Sequence, residues 1–242
     1  MRLFRNVERP GRLLMSPSRR RHVAFAVAVG LVSCSALLAS AQAASAAVVR
    51  GTSGSDDLRG TRESDVIYGL GGADVVRSRD GHDYVSGGPG GDTIYMGDGR
   101  ALHGYIYEGA NGGGGRDTLY GQAGRDSLNG GKGKDVLVSG PGRSGLFGQD
   151  GNDVLVGGPE RDQLEGGRGN DRIWGGPGGD YAEADDRGRD WLYFGAGDDK
   201  AWLSSDGKAD YIDCGPGTDK VYIDFADPLD VYVDCEEVTT DF

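Results

Sequence analysis

GGRGNDRIWGG, residues 166–176, sets three glycines and an aspartate ahead of a single aliphatic residue, and then begins on glycine again. Slid along the chain, the stretch recurs every nine residues, and a fixed period decides the architecture before any single residue is read. Units begin at 51, 60, 69, 78 and 87, then at 112, 121, 130, 139, 148, 157, 166 and 175, and less regularly at 185, 194, 205 and 214. The sixth position is aspartate in every unit except the one carrying Ser144, and the eighth is Val, Leu or Ile except at Ala182 and Ala201. Two columns holding phase together exclude the disordered linker that 46 glycines in 242 residues would otherwise suggest.

The two halves of the unit do different things. Glycines at positions one, two and four allow positive φ and close backbone approach, which a tight turn requires. The last three residues make a short strand whose middle side chain faces one way and whose neighbours face the other. One aliphatic residue per strand therefore points inward, as a ladder of Leu119, Leu128, Leu137, Leu146, Leu155, Leu164 and Ile173. Nine residues do not close a coil with two faces but eighteen do, so successive units alternate between opposite sides of a flattened right-handed solenoid. Alternate units then stack as parallel strands about 4.8 Å apart, and their aspartates stack with them. Two carboxylates roughly 5 Å apart repel by about 1 kcal/mol in water and several times that in a lower dielectric. A divalent cation between them reverses the sign, and an all-oxygen shell completed by turn carbonyls favours calcium.

GGKGKDVLV (130–138) and GGRGNDRIW (166–174) fit G-G-x-G-x-D-x-U-x at every fixed position. On these residues the chain from about 51 to 222 resembles the calcium-binding nonapeptide repeat of hemolysin-type (RTX) proteins. The resemblance implies an all-β, right-handed parallel β-roll with several Ca2+ ions between turns on each side. It says little about biological role, since the module is appended to proteases, lipases, toxins, epimerases and surface proteins.

Units 112, 130, 148 and 166 share one side and keep both the aspartate and the fourth glycine. Asp117, Asp135, Asp153 and Asp171 are thus the first candidates as ligands, with Gly112, Gly115, Gly130, Gly133, Gly148, Gly151, Gly166 and Gly169 shaping the turns. Asp56, Asp74 and Asp92 serve the early units, and Asp126, Asp162 and Asp180 the opposite side. There Ser144 replaces the carboxylate and Glu160 a glycine, which predicts weaker or absent calcium around 139 and 157; Glu63 has the same effect on the unit at 60. Residues 96–111, MGDGRALHGYIYEGAN, break phase and read as an irregular coil or a protruding loop, their length close to eighteen pointing to the coil. The acidic EADDRGRD at 183–190 reads as solvated carboxylates, or as an extra ion site at Glu183, Asp185 and Asp186.

The first 46 residues carry seven arginines, one glutamate, an apolar run from Val23 and the small-residue stretch AQAASAA. They read as a secretory signal peptide cleaved after Ala43 or Ala46, with translation starting at Met1 or Met15. LVSC at 31–34 also reads as a lipobox that would lipidate Cys34, and Val23–Val49 is long enough for an uncleaved membrane anchor. Cleavage takes seven of 26 basic and one of 38 acidic residues, leaving a net charge near −18 on a chain expected to be secreted. Such a chain repels nucleic acid and anionic membranes and attracts cations. Cys214 and Cys235 are then an even pair, read as one disulfide or as two free thiols. The roll is expected over 47–222, with 223–242 as a C-terminal cap stapled by that bridge, because an open solenoid end invites aggregation.

No H-E-x-x-H, G-x-S-x-G or G-K-[S/T] motif occurs, and His22, His82 and His103 are the only histidines. The expectation is a binding protein and not an enzyme. Tyr181, Trp191, Tyr193 and Trp202 fall at outward positions, where aromatics make good strand residues or stack on a sugar. The alternative reading is therefore a cell-surface adhesion or polysaccharide-binding module whose calcium is structural.

Overall fold

The structure, a computed structural model, describes residues 45–98, 108–184, 188–204, 206–224 and 227–240. All but the last two residues of the leader lie outside these, as do Cys34, His22, His103, Asp185 and Asp186. Every element among the described residues is a strand, and every strand pairing is parallel. Odd-numbered strands in chain order, from Val48–Arg50 to Glu237–Thr239, build an eleven-stranded sheet. Even-numbered ones, from Asp57–Arg59 to Val231–Val233, build a ten-stranded sheet. The result is a parallel β-solenoid of about ten turns, as the period requires.

Register follows from which side chain must be buried, because a one-residue slip would turn every strand inside out. Leu137 pairs with Leu119 and with Leu155, and Leu146 with Leu128 and Leu164, so a regular turn takes eighteen residues. The eighth-position ladder forms one core from Val49 to Val221, and each of its leucines is fully buried. Burying one such side chain is worth about 2 kcal/mol. Later turns lengthen: Ile173 pairs with Leu192 and Leu192 with Ile212, and the extra residues fall in the bends.

The phase break at 96–111 is not a full coil of its own. Thr93 pairs with Thr118 and Tyr84 with Gly109, so the chain advances one ordinary turn while using 25 residues. Between strands Thr93–Tyr95 and Glu108–Gly114 it makes half a turn: Met96 opens a unit, Asp98 bridges to Ala123 in the third position, and Glu108 arrives in the sixth. The expected irregular coil is thus one nine-residue unit with seven residues inserted before its acid, and 99–107 lie outside the described residues.

At the C-terminus, Val231–Val233 and Glu237–Thr239 add one further strand to each sheet. The outer rung is more exposed than the rest, and a Cys214–Cys235 disulfide ties it to the preceding turn across 21 residues. Closing a loop of that length is worth about 3 kcal/mol in the chain-entropy account.

Candidate metal centre

The bends carry two columns of acids. Ahead of the ten-stranded sheet stand Asp56, Asp74, Asp92, Asp117, Asp135, Asp153 and Asp171, followed by Asp190, Asp210 and Asp230. The other column runs Asp65, Asp83, Glu108, Asp126, Ser144, Asp162, Asp180, Asp199 and Asp219. All of these sixth-position residues except the half-buried Asp230 are buried.

One oxygen of each regular aspartate is already used. The Asp135 backbone N–H donates to Asp153 Oδ1 at 2.8 Å, Asp92 N–H to Asp117 Oδ1 at 2.7 Å, and Asp153 N–H to Asp171 Oδ1 at 2.7 Å. The carboxylate therefore joins one turn to the next as a side-chain rung. Its second oxygen differs from unit to unit. In Asp74, Asp92, Asp117, Asp135, Asp153 and Asp180 it is buried with no hydrogen-bond donor. In Asp56 it accepts the Thr52 N–H at 2.6 Å and the Thr52 hydroxyl at 2.9 Å, and in Asp162 it accepts the Gly158 N–H at 2.5 Å.

The first glycine explains where the orphaned oxygen sits. A Cβ placed on Gly112 would lie 2.5 Å from Asp117 Oδ2 and 2.7 Å from the Gly130 carbonyl oxygen; on Gly130 it would lie 2.7 Å from Asp135 Oδ2 and 2.9 Å from the Gly148 carbonyl. Each hollow is thus bounded by a carboxylate oxygen of its own unit and a carbonyl oxygen of the next turn. Among the described residues no three His, Cys, Asp or Glu side chains converge as a metal cluster. An ion here would draw on one or two carboxylates and on main-chain carbonyls, an all-oxygen donor set that suits calcium.

Burial sets the electrostatics. Desolvation, with the like charge of neighbouring rungs, pushes Asp92 and Asp153 up to about 6, Asp117 and Asp180 to about 7, and Asp190 to about 8. The bond each receives from the previous turn acts the other way and is outweighed. The ions' absence from these columns would thus be felt as a cost of keeping the acids charged.

The Ser144 rung is different in kind. Asp126 N–H donates to Ser144 Oγ at 3.3 Å in place of a carboxylate, and Arg125, Arg143 and Arg161 line the hollow outside it. Glu160, at a glycine position, accepts the Gly142 N–H at 2.7 Å and ties its turn to the previous one. Glu183 accepts the Tyr181 hydroxyl at 2.7 Å.

Among the outward aromatics, Tyr193 stacks on Trp174 at 5.7 Å between centroids and meets Tyr211 at 5.6 Å; Trp202 meets Tyr222 at 5.2 Å. The Arg172 guanidinium lies 5.3 Å over Trp191. These ring faces are turned toward neighbouring rungs, the cross-strand packing expected of aromatics in a sheet.

Sequence reasoning missed two acids of the columns: Asp230, which it left in the C-terminal cap, and Glu108, 1% exposed with neither carboxylate oxygen bonded, and pushed by burial and by Asp126, Asp83 and Asp98 up to about 9. The usable signal was MGDG at 96–99, which starts a unit whose sixth residue is Glu108 once seven residues are set aside.

A family model described as the RTX calcium-binding nonapeptide repeat matches the chain in four copies, at residues 50–85, 77–100, 111–146 and 147–182. No curated protein matches it.

Proposed function

Because the chain belongs to the RTX calcium-binding nonapeptide repeat family, we propose that it is an exported, non-catalytic calcium-binding solenoid whose fold is completed by ions held between successive turns. The observation that carries this reading is the row of buried second oxygens on Asp74, Asp92, Asp117, Asp135 and Asp153, each beside a carbonyl of the next turn. Asp171 continues that column, and Asp126 and Asp180 serve the other. Gly112, Gly115, Gly130, Gly133, Gly148, Gly151, Gly166 and Gly169 leave the backbone room to approach the ions. A bound cation supplies positive charge where desolvated carboxylates stack. The protein supplies spacing and oxygen donors. Asp56 and Asp162, whose second oxygens are bonded within their own turns, rank below the others.

Export is supported by the leader and by the disulfide, which persists in an oxidising compartment. Coupling of calcium to folding is supported by the raised carboxylates: each site held at ten times its dissociation constant adds about 1.4 kcal/mol to the folded state.

The reading is tested by titrating calcium into residues 47–242 by calorimetry. Asp153→Asn is expected to weaken part of the isotherm by about tenfold, near 1.4 kcal/mol. Ser144→Asp is expected to add binding on the side where the column is interrupted. Isotherms unchanged by both substitutions would contradict the ligand assignment, and no heat of binding in the unsubstituted chain would contradict the function.

A further inference from the structure

Glu108 lies outside the four stretches that match the repeat, and it breaks the rung pattern that the aspartates keep. In a regular rung one carboxylate oxygen accepts the N–H of the preceding turn and one is left over. Here the Glu108 N–H donates to the Arg125 carbonyl at 3.1 Å and bypasses the Asp126 carboxylate. The Asp126 N–H in turn meets Ser144 Oγ. The ladder is therefore interrupted on both sides of Asp126. Both oxygens of Asp126, both of Glu108 and one of Asp83 are buried with no hydrogen-bond donor. These residues occupy three successive turns in register, since Glu108 pairs with Asp126 and Tyr84 with Gly109.

We propose that Glu108 and Asp126 form a separate cation site, richer in carboxylate oxygen than the regular sites, which takes calcium or a similar hard divalent ion between the turn with the seven-residue insertion and the turn after it. Two buried carboxylates with four unsatisfied oxygens are costly unless a cation or strong donors meet them. A regular inter-turn site offers fewer free carboxylate oxygens, and the number of charged ligands is what tunes calcium affinity. Met96 stands where that unit would have its first glycine, so the unit departs from the motif at two of its fixed positions. The proposal rests on the calcium-binding reading of the family repeats, and it assigns a ligand that the repeat motif does not contain.

The test counts calcium ions by native mass spectrometry on residues 47–242, with calorimetry for affinity and circular dichroism to verify the fold in calcium. Glu108→Gln and Asp126→Asn are each expected to remove one ion. Together they are expected to remove that same single ion, whereas Glu108→Gln with Asp153→Asn is expected to lose more. A Glu108→Gln protein that binds as many ions as the unsubstituted chain, with unchanged affinities, would overturn the site. So would a Glu108→Gln protein with a higher thermal midpoint than the unsubstituted chain in saturating calcium, which would mark Glu108 as a carboxyl kept protonated. If Glu108→Gln does not fold, Asp126→Asn decides by the same count. An unsubstituted chain that binds no calcium refutes the functional reading itself, an outcome distinct from retention of every ion by the variants.

Discussion

Gly133→Ala is expected to destabilise the calcium-saturated protein by about 3 kcal/mol or more, whereas Gly114→Ala, one turn away, is expected to change it by less than about 0.5 kcal/mol. Gly133 has φ of 136°, where an L side chain costs about 1–2 kcal/mol. Its added Cβ would also be driven into the Gly115 carbonyl of the turn before. The same close stacking continues through Gly151 and Gly169. Relief by opening the turns is blocked, because Gly133 pairs with Gly151 within a hydrogen-bonded ladder whose bonds are worth about 1 kcal/mol each. Gly114 has no heavy atom within 4 Å of a built Cβ. Denaturant midpoints of the two variants in excess calcium check this contrast, and equal midpoints would contradict the stacked-turn geometry.

Stability is expected to respond to pH in opposite directions with and without calcium. Without the ion, acids such as Asp117, Asp126 and Asp210, pushed up to about 7, and Asp190, to about 8, hold protons in the folded chain that the unfolded chain has already released. Stability then falls as pH rises from the ordinary carboxylate range through those values, because the folded form binds more protons. With calcium in excess, protons compete for the same oxygens, so lowering the pH weakens the protein. The folded fraction in EDTA, read by circular dichroism, is expected to be greater near pH 5 than near pH 8, where the chain is largely disordered, and in millimolar calcium the order is expected to reverse. The same order in both buffers would dissociate the buried acids from the ion.

The fold was legible because the sequence repeats one physical demand many times. A turn needs glycine, a strand of three residues buries its middle side chain, and Leu119, Leu137 and Leu155 could meet only if alternate units stack. The stacking of aspartates followed from the same step. Less legible was how each carboxylate divides its oxygens, since the bond from Asp135 N–H to Asp153 Oδ1 depends on backbone geometry that residue types do not specify. Thr52 likewise had no meaning until its hydroxyl was found on Asp56. The interruption at 96–111 was misread because its length approximates a full coil, and only the pairing of Thr93 with Thr118 distinguishes half a turn with an insertion from a whole one. Glu108 was hidden for that reason and because the motif asks for aspartate.

The central claim, that calcium between turns completes the solenoid, is tested most directly by far-ultraviolet circular dichroism of residues 47–242 near pH 7.5. The spectrum would be recorded first in EDTA and then as free calcium is raised to millimolar levels. The expected result is a largely disordered spectrum that converts to β-structure on calcium addition and reverts on chelation, in step with the calorimetric binding curve. A β-spectrum already complete in EDTA and unmoved by calcium would contradict it.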